Sequence, residues 1–230
     1  MGKEITPVAV YHSPLEGKFG VPRQSGVAAD LRGEVRLEGR YRHPDALRGL
    51  EGFDYVWLIW GFSLNGGNPD ALTVRPPRLG GNKRVGVFAS RSPFRPNGLG
   101  LSCVKIERVD SENGVIRVAG ADLADGTPIY DIKPYVEYAD SRPGVRSGFV
   151  DANLWEPLDV VVPEEIAAKL LPRDLSALKQ LLAADPRPSY QDDPEREYGL
   201  TFAGRNVKFS VSGTVLTVIS AESAGQNESE

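Results

Sequence analysis

Along the first two-thirds of the chain, no helical pattern of about ten residues separates one strand signal from the next. Parallel neighbours need a crossover of roughly a dozen residues, usually a helix, so this rules out a doubly wound sheet and leaves antiparallel pairing. Period-two alternation, or short β-branched and aromatic runs, falls at residues 6–11, 34–37, 55–64, 85–89, 101–109 and 115–119, each bounded by Gly, Pro, Asn or Asp. Asn113-Gly114 lies between the last two runs, where both residues accept the positive φ of a tight turn, so those runs are predicted to pair. The predicted fold is mainly β: a closed or nearly closed antiparallel β-barrel.

After Leu158 the texture changes. Pro163 opens the helical segment EEIAAKLL and Pro172 ends it, while Asp174 can cap a second helix at 175–184. Its Leu175, Leu178, Leu181 and Leu182 form one apolar face, and Asp185-Pro186-Arg187-Pro188 breaks it. Strand signals at 206–211 and 214–220 flank Ser212-Gly213. At about 150 residues per domain, 230 residues suit one full domain and an appendage. The expected division is therefore a barrel at 1–155, a small C-terminal α+β domain at 156–221, and a polar, mobile tail at 222–230.

One Cys and two His exclude a disulfide framework and a Cys/His-rich zinc site, while a carboxylate-based metal site stays open; no metal is expected for the reaction, and a reducing, cytoplasmic setting fits. The longest strongly apolar stretch, YVWLIWGF from Tyr55 to Phe62, is far short of the roughly 18–20 residues of a membrane-spanning helix, so no membrane partner is expected. A net charge of −4 argues against coating nucleic acid by bulk attraction. The distribution is uneven, however. Arg75, Arg78, Lys83, Arg84, Arg91, Arg95, Lys105 and Arg108 lie in one window with Glu107 as its single acid, a local +7 among Gly, Pro and Phe. That window is either a solvated loop surface or the seat of an anionic ligand.

Common catalytic fingerprints fail. Gly81 to Gly86 has the glycine spacing of a phosphate loop, but Val87-Phe88 follows where Lys and Ser/Thr must reach phosphate and metal. Gly98-Leu99-Gly100 continues to Cys103 where a dinucleotide fingerprint needs a third Gly. There is no Gly-x-Ser-x-Gly. Cys103, His12 and His43 read as packing or structural residues. What remains is a set of stiff loops joined to strands: VPRQSG at 21–26, SRSPFRPNG at 90–98, and DLADGTP at 122–128 running into DIKPY at 131–135. Prolines that stiffen a loop around arginines suit recognition of a planar carboxylate or phosphate.

RPPRLGGNKRVGVFASRSPFRPNGLGLS and DLADGTPIYDIKPYVEYAD, with VPRQSG, LRGLEGFDYVWLIWGF and DPRPSY, resemble the TsaA-like family, whose characterised bacterial members are TrmO-type tRNA methyltransferases. The resemblance covers nearly the whole chain. It implies an antiparallel barrel that binds S-adenosylmethionine without a Rossmann sheet, a homodimer, and methylation of N6 of threonylcarbamoyladenosine beside the tRNA anticodon. By position it assigns donor contacts to Arg23, Gln24, Ser25, Ser63, Leu64, Arg91, Leu101, Asp122, Leu123, Ala124, Asp125, Gly126 and Thr127. Two departures stand out: Ser63-Leu64-Asn65 where relatives place a His-containing pair, and Gly98-Leu99 where Pro-Ile is usual.

A sulfonium methyl is already activated, so in-line transfer depends mainly on holding donor and acceptor nitrogen at attack distance. The acceptor nitrogen has a delocalised lone pair, and its proton must leave during or near transfer. Asp131 is the candidate to accept or relay that proton, with Lys133 and Tyr135 stabilising negative charge or orienting the substrate; a purely structural DIKPY turn is the alternative. Arg91 is the candidate partner of the donor carboxylate. Arg75, Arg78, Lys83, Arg84 and Arg95 are the candidate phosphate contacts. A competing reading is a non-catalytic barrel that binds an adenosyl ligand or RNA as a sensor or adaptor.

Overall fold

The structure is a computed structural model that describes residues 2, 4–64, 71–187 and 193–224. The strands in chain order are β1 (Ala9–His12), β2 (Leu15–Glu16), β3 (Arg32–Leu37), β4 (Tyr55–Gly61), β5 (Thr73–Val74), β6 (Val85–Gly86) and β7 (Leu99–Asp110). They continue as β8 (Val115–Ala119), β9 (Thr127–Pro134), β10 (Asp159–Val161), β11 (Tyr198–Phe202), β12 (Arg205–Ser212) and β13 (Val215–Ser223). The α-helices are α1 (Pro44–Leu47), α2 (Glu137–Asp140), α3 (Glu164–Ala167) and α4 (Pro172–Ala183).

Six strands close into a barrel in the order β1-β3-β8-β7-β4-β9, and every neighbouring pair is antiparallel. Closure removes the edges that such strands would otherwise expose. Alternation supplies the core: Tyr11, Val35, Val56, Leu58, Val104, Ile116, Val118 and Ile129 face inward and are buried. Two glycines make room for the largest inward rings. A Cβ on Gly33 would stand 2.2 Å from the Tyr11 hydroxyl, and one on Gly100 would stand 2.3 Å from the Trp60 ring. The bulky residue and the gap it fills lie on neighbouring strands in both cases.

Antiparallel closure sorts the connections by end. The segments after β1, β4 and β8 all leave at one mouth, where β3, β7 and β9 begin. The VPRQSG, SRSPFRPNG and DLADGTP loops lie in these connections, although they are far apart in sequence.

The second sheet runs β10-β13-β12-β11-β2. Its edge strand β2 comes from the β1–β3 connection, pairing Phe202 with Leu15. Helix α4 packs Ala177, Leu178, Leu181 and Leu182 into the same core as Phe202, Phe209 and Leu216.

Several elements differ from the sequence reading. The run predicted at 85–89 is a strand for only Val85–Gly86 and then a 3₁₀ turn, Val87–Ala89. Pro172 does not only end one helix; it starts α4 at its first turn, with Asp174 inside rather than capping it. DIKPY is largely strand, because β9 places Pro128 and Pro134 near its two ends, where a missing N–H interrupts the ladder least. Asn113-Gly114 closes a four-residue connection, with Asp110 accepting from the Asn113 N–H at 3.2 Å. Glu222 and Ser223 complete β13, while 225–230 of the expected tail lie outside the described residues.

Candidate functional site

At the loop-bearing mouth, three connections meet around one carboxylate. The Asp122 side chain accepts from Ser102 Oγ at 2.5 Å, and Ser102 Oγ in turn accepts from Trp60 Nε1 at 2.9 Å. Both supporting residues are buried inside the barrel, Ser102 at 1% and Trp60 at 6% exposure. Burial pushes the Asp122 carboxyl above the usual aspartate value of 3.8, opposed by Ser102, its own backbone N–H, the Arg91 guanidinium and the Ser25 N–H. Desolvation therefore outweighs four favourable contacts, the mark of a charge withdrawn from water but surrounded by donors.

The walls come from the neighbouring loops. Arg91 Nη1 donates to Gln24 Oε1, joining the SRSPFRPNG loop to VPRQSG. The Gly26 N–H donates to the Gly120 carbonyl at 2.8 Å, which seats VPRQSG against the segment that carries Asp122. The φ of Gly120 is +78°, a left-handed backbone conformation that favours glycine at this turn. Gln24, Ser25, Arg91 and Asp122 are thus brought together at one mouth.

The other expected donor residues divide by environment. Ser63 and Leu64 stand exposed just beyond β4, and Leu101 is 59% exposed on the outer face of β7. Leu123 is fully buried as a plug of the barrel core. Ala124 and Thr127 serve the loop itself, Thr127 Oγ1 donating to the Ala124 carbonyl at 2.7 Å. Gly126 turns the loop at φ +74° and donates its N–H to the Tyr11 carbonyl at 2.9 Å. Asp125 accepts from the Ser13 N–H at 3.0 Å and lies 3.3 Å from His12 Nδ1. The Arg23 guanidinium is turned toward the C-terminal unit, where it donates to the carbonyls of Asp185 and Arg187. Asn65 and residues 188–190 of DPRPSY lie outside the described residues.

The proposed acid–base set is strung along β9 and just past it, Asp131 nearest this mouth and Lys133 and Tyr135 farther from it. Asp131 pairs with Ile59, which pairs with Leu101, forming a row across the outer face of β9, β4 and β7. Lys133 and Tyr135 lie farther along, and Tyr135 packs against Tyr55 and Trp57 with centroids 6.2 and 6.1 Å away. Eight residues of extended chain from Thr127 to Tyr135 span roughly 26 Å, so Tyr135 sits at the opposite end of the same barrel.

Of the cationic candidates, Arg75, Arg78, Lys83 and Arg84 are exposed on or beside the β5–β6 hairpin. Arg95 is turned inward, donating to the Ser90 carbonyl at 2.7 Å, and so braces its own loop.

Sequence reasoning missed Ser102 and Trp60. The available signal was period two: Leu101, Cys103 and Lys105 on one face put Ser102 on the inward face between Gly100 and Val104, a polar group in an apolar row.

Comparison with known proteins joins this geometry to a family. The tRNA-methyltransferase O N-terminal domain matches residues 10–141, and the TrmO C-terminal domain matches 156–224. The chain belongs to the tRNA-methyltransferase O family. Within the family it is 37% identical to the tRNA (adenine(37)-N6)-methyltransferase of Escherichia coli strain K12 over 232 residues, covering 95% of this chain and 97% of that protein. It is 46% identical to the Eikenella corrodens protein of the same name, over 69% of this chain and 91% of that one. The crystal structure of TrmO from Pseudomonas aeruginosa superposes with a TM-score of 0.78 at 31% identity, covering 97% of this chain and 98% of that one. The antiparallel barrel is thus the family's fold.

The half-buried Asp122 carboxylate gives a pH test. Its folded pKa is raised, so its contribution to stability is fully present below the ordinary aspartate value and is lost as pH rises through the raised value. Asp122→Asn keeps an acceptor for Ser102 without the charge. Its melting temperature relative to the native chain is expected to rise as pH increases from about 4 to about 8. A pH-independent difference would show that this carboxylate is not desolvated.

Proposed function

We propose that the chain transfers a methyl group from S-adenosylmethionine to N6 of threonylcarbamoyladenosine next to the anticodon of tRNA. The observation that carries this reading is the convergence of Arg91, Gln24, Ser25 and Asp122 at one mouth. The residues fit the donor. Its amino-acid end carries a carboxylate and an ammonium, and the Arg91 guanidinium and the half-buried Asp122 carboxylate serve the same mouth.

When bound, S-adenosylmethionine supplies a sulfonium-activated methyl group. Arg91 binds the donor carboxylate, and Gln24 orients Arg91. Asp122 takes the ammonium, its own orientation fixed by Ser102 and Trp60. Ser63, Leu64 and Leu101 border the remainder of the donor, and Asp125 and Gly126 form the outer lip. Alignment is the larger contribution to rate, up to about 7–11 kcal/mol, against roughly 3–5.5 kcal/mol for a general base. Asp131, exposed in the row with Leu101, is assigned as acceptor of the N6 proton.

The chain acts as a homodimer in this reading. Tyr55 at 42% and Leu101 at 59% exposure leave apolar surface on the outer face of β4 and β7 for a second copy to cover. Lys133 and Tyr135, remote from their own mouth, are assigned to the mouth of that copy. Residues 1–155 form the methyltransferase domain and 156–221 the accessory domain, working in the cytoplasm where the substrate is.

The exposed Arg75, Arg78, Lys83 and Arg84 grip phosphates, beside Phe88 at 77% exposure, a ring open to stack on an unpaired base. Replacing Lys83 and Arg84 together by alanine is expected to weaken tRNA binding and to lower the log–log salt slope by roughly 1.5. An unchanged slope in filter binding across a salt series would remove the hairpin from the interface.

The direct test incubates the protein with labelled donor and tRNA lacking the methyl group, followed by nucleoside mass analysis. The expected product is methylated threonylcarbamoyladenosine. Donor binding with no methylated nucleoside would favour the sensor.

A further inference from the structure

The loop that supplies Gln24 and Ser25 leaves the barrel and packs mainly on the C-terminal unit. Before it, β2 completes the C-terminal sheet, and the Ala203 N–H donates to the Pro14 carbonyl at 2.8 Å. Leu15, Ala28 and Leu31 are buried in one cluster with Leu178, Leu182 and Phe202, not in the barrel core. After it, the Asp30 N–H donates to Gln180 Oε1 at 2.9 Å, and Asp30 Oδ2 accepts from Ser176 Oγ at 2.5 Å and Gln180 Nε2 at 2.9 Å.

Between these anchors lies Arg23. Its Nη2 reaches the carbonyls of Asp185 and Arg187, each at 3.2 Å, in the turn that ends α4. That turn is itself fixed: Asp185 has φ +48°, and its carboxylate takes a two-point contact from Arg187, Nε to Oδ1 at 2.9 Å and Nη2 to Oδ2 at 3.0 Å. A cleft of about 320 Å³ opens along the seam between Lys18–Arg23 and Leu181–Pro186.

We infer that the C-terminal unit sets the position of the donor-binding loop, with Arg23, Asp30, Ser176, Gln180 and the Asp185–Arg187 pair acting as positioning residues. The inference rests on the reading of Gln24 as part of the donor site. Arg23 acts through its neighbours rather than by touching the donor. A well-placed loop binds the donor without the cost of ordering itself, so loosening the brace weakens binding and leaves the bound geometry intact.

The test is calorimetric titration of S-adenosylmethionine into the full chain, with steady-state kinetics on tRNA. Ser176 and Gln180 lie on α4, away from the mouth. The double variant S176A/Q180A is expected to raise the donor Kd and KM by about 3- to 10-fold, the effect of one or two hydrogen bonds, with kcat at saturating donor retained. Arg23→Ala is expected to do the same and Arg23→Lys to recover part of the loss. Gln24→Ala separates the two levels. If Gln24→Ala weakens binding while S176A/Q180A and Arg23→Ala do not, the brace is wrong and the donor site stands. If Gln24→Ala leaves donor affinity unchanged, the donor-site reading fails and takes the brace with it. Melting curves identify a variant that has lost its fold, and Arg23, exposed on a loop, gives the decisive result in that event.

Discussion

Replacing Arg91 by alanine is expected to weaken binding of S-adenosylmethionine by about 10- to 100-fold, because a hydrogen bond to a charged group is worth roughly 1.5–3 kcal/mol. The side chain is exposed and donates to Gln24 across the mouth, so little of the fold depends on it. The melting temperature should scarcely move. A second consequence separates this role from bulk electrostatics. Arg91 is one of the groups that hold down the raised pKa of Asp122, so its loss pushes that carboxyl higher still. The acid limb of donor binding should then move to higher pH in the variant. Unchanged donor affinity in calorimetry would remove Arg91 from the site.

Gly100→Ala carries the largest expected effect on stability. A methyl group would lie 2.3 Å from one atom of the Trp60 ring and 2.4 Å from another. Trp60 cannot swing aside freely: it is 6% exposed, its ring packs 4.3 Å from Phe62, and its Nε1 is bonded to Ser102. Two effects compete. Replacing Gly by Ala reduces the entropy of the unfolded chain, a gain of about 0.4–1 kcal/mol, while overpacking a close-packed interior costs about 1–3 kcal/mol or more. The steric effect wins, and the melting temperature is expected to fall by roughly 2–8 °C. The displaced indole also releases Ser102 and with it Asp122, so donor affinity should fall in the fraction that remains folded. A melting curve superimposable on the native one would show that the barrel does not pack Trp60 against this strand.

The barrel was legible because antiparallel strands write their faces into the chain at period two: 55–64 and 101–109 alternate, and Tyr55–Gly61 pairs with Leu99–Asp110. Strand β9 was not, because Pro128 and Pro134 read as loop punctuation until closure gives both a place near a strand end. The gathering of Gln24, Arg91 and Asp122 was inferred from resemblance, since nothing in the residues between them shows that three connections leave the same end of a barrel. Nor does the sequence show that the Arg23 side chain bonds the C-terminal turn and that of Thr127 its own loop. Ser102 was concealed by its smallness: one hydroxyl in an inward row matters only once Trp60 and Asp122 are known to flank it.

Where the donor sits decides the function proposed for this mouth. The most direct measurement is a crystal structure of the chain with S-adenosylmethionine bound. The expected density puts the donor carboxylate against the Arg91 guanidinium, with Gln24, Ser25 and Asp122 around the same end. Density confined to the cleft between Lys18 and Pro186, away from Arg91, would contradict it.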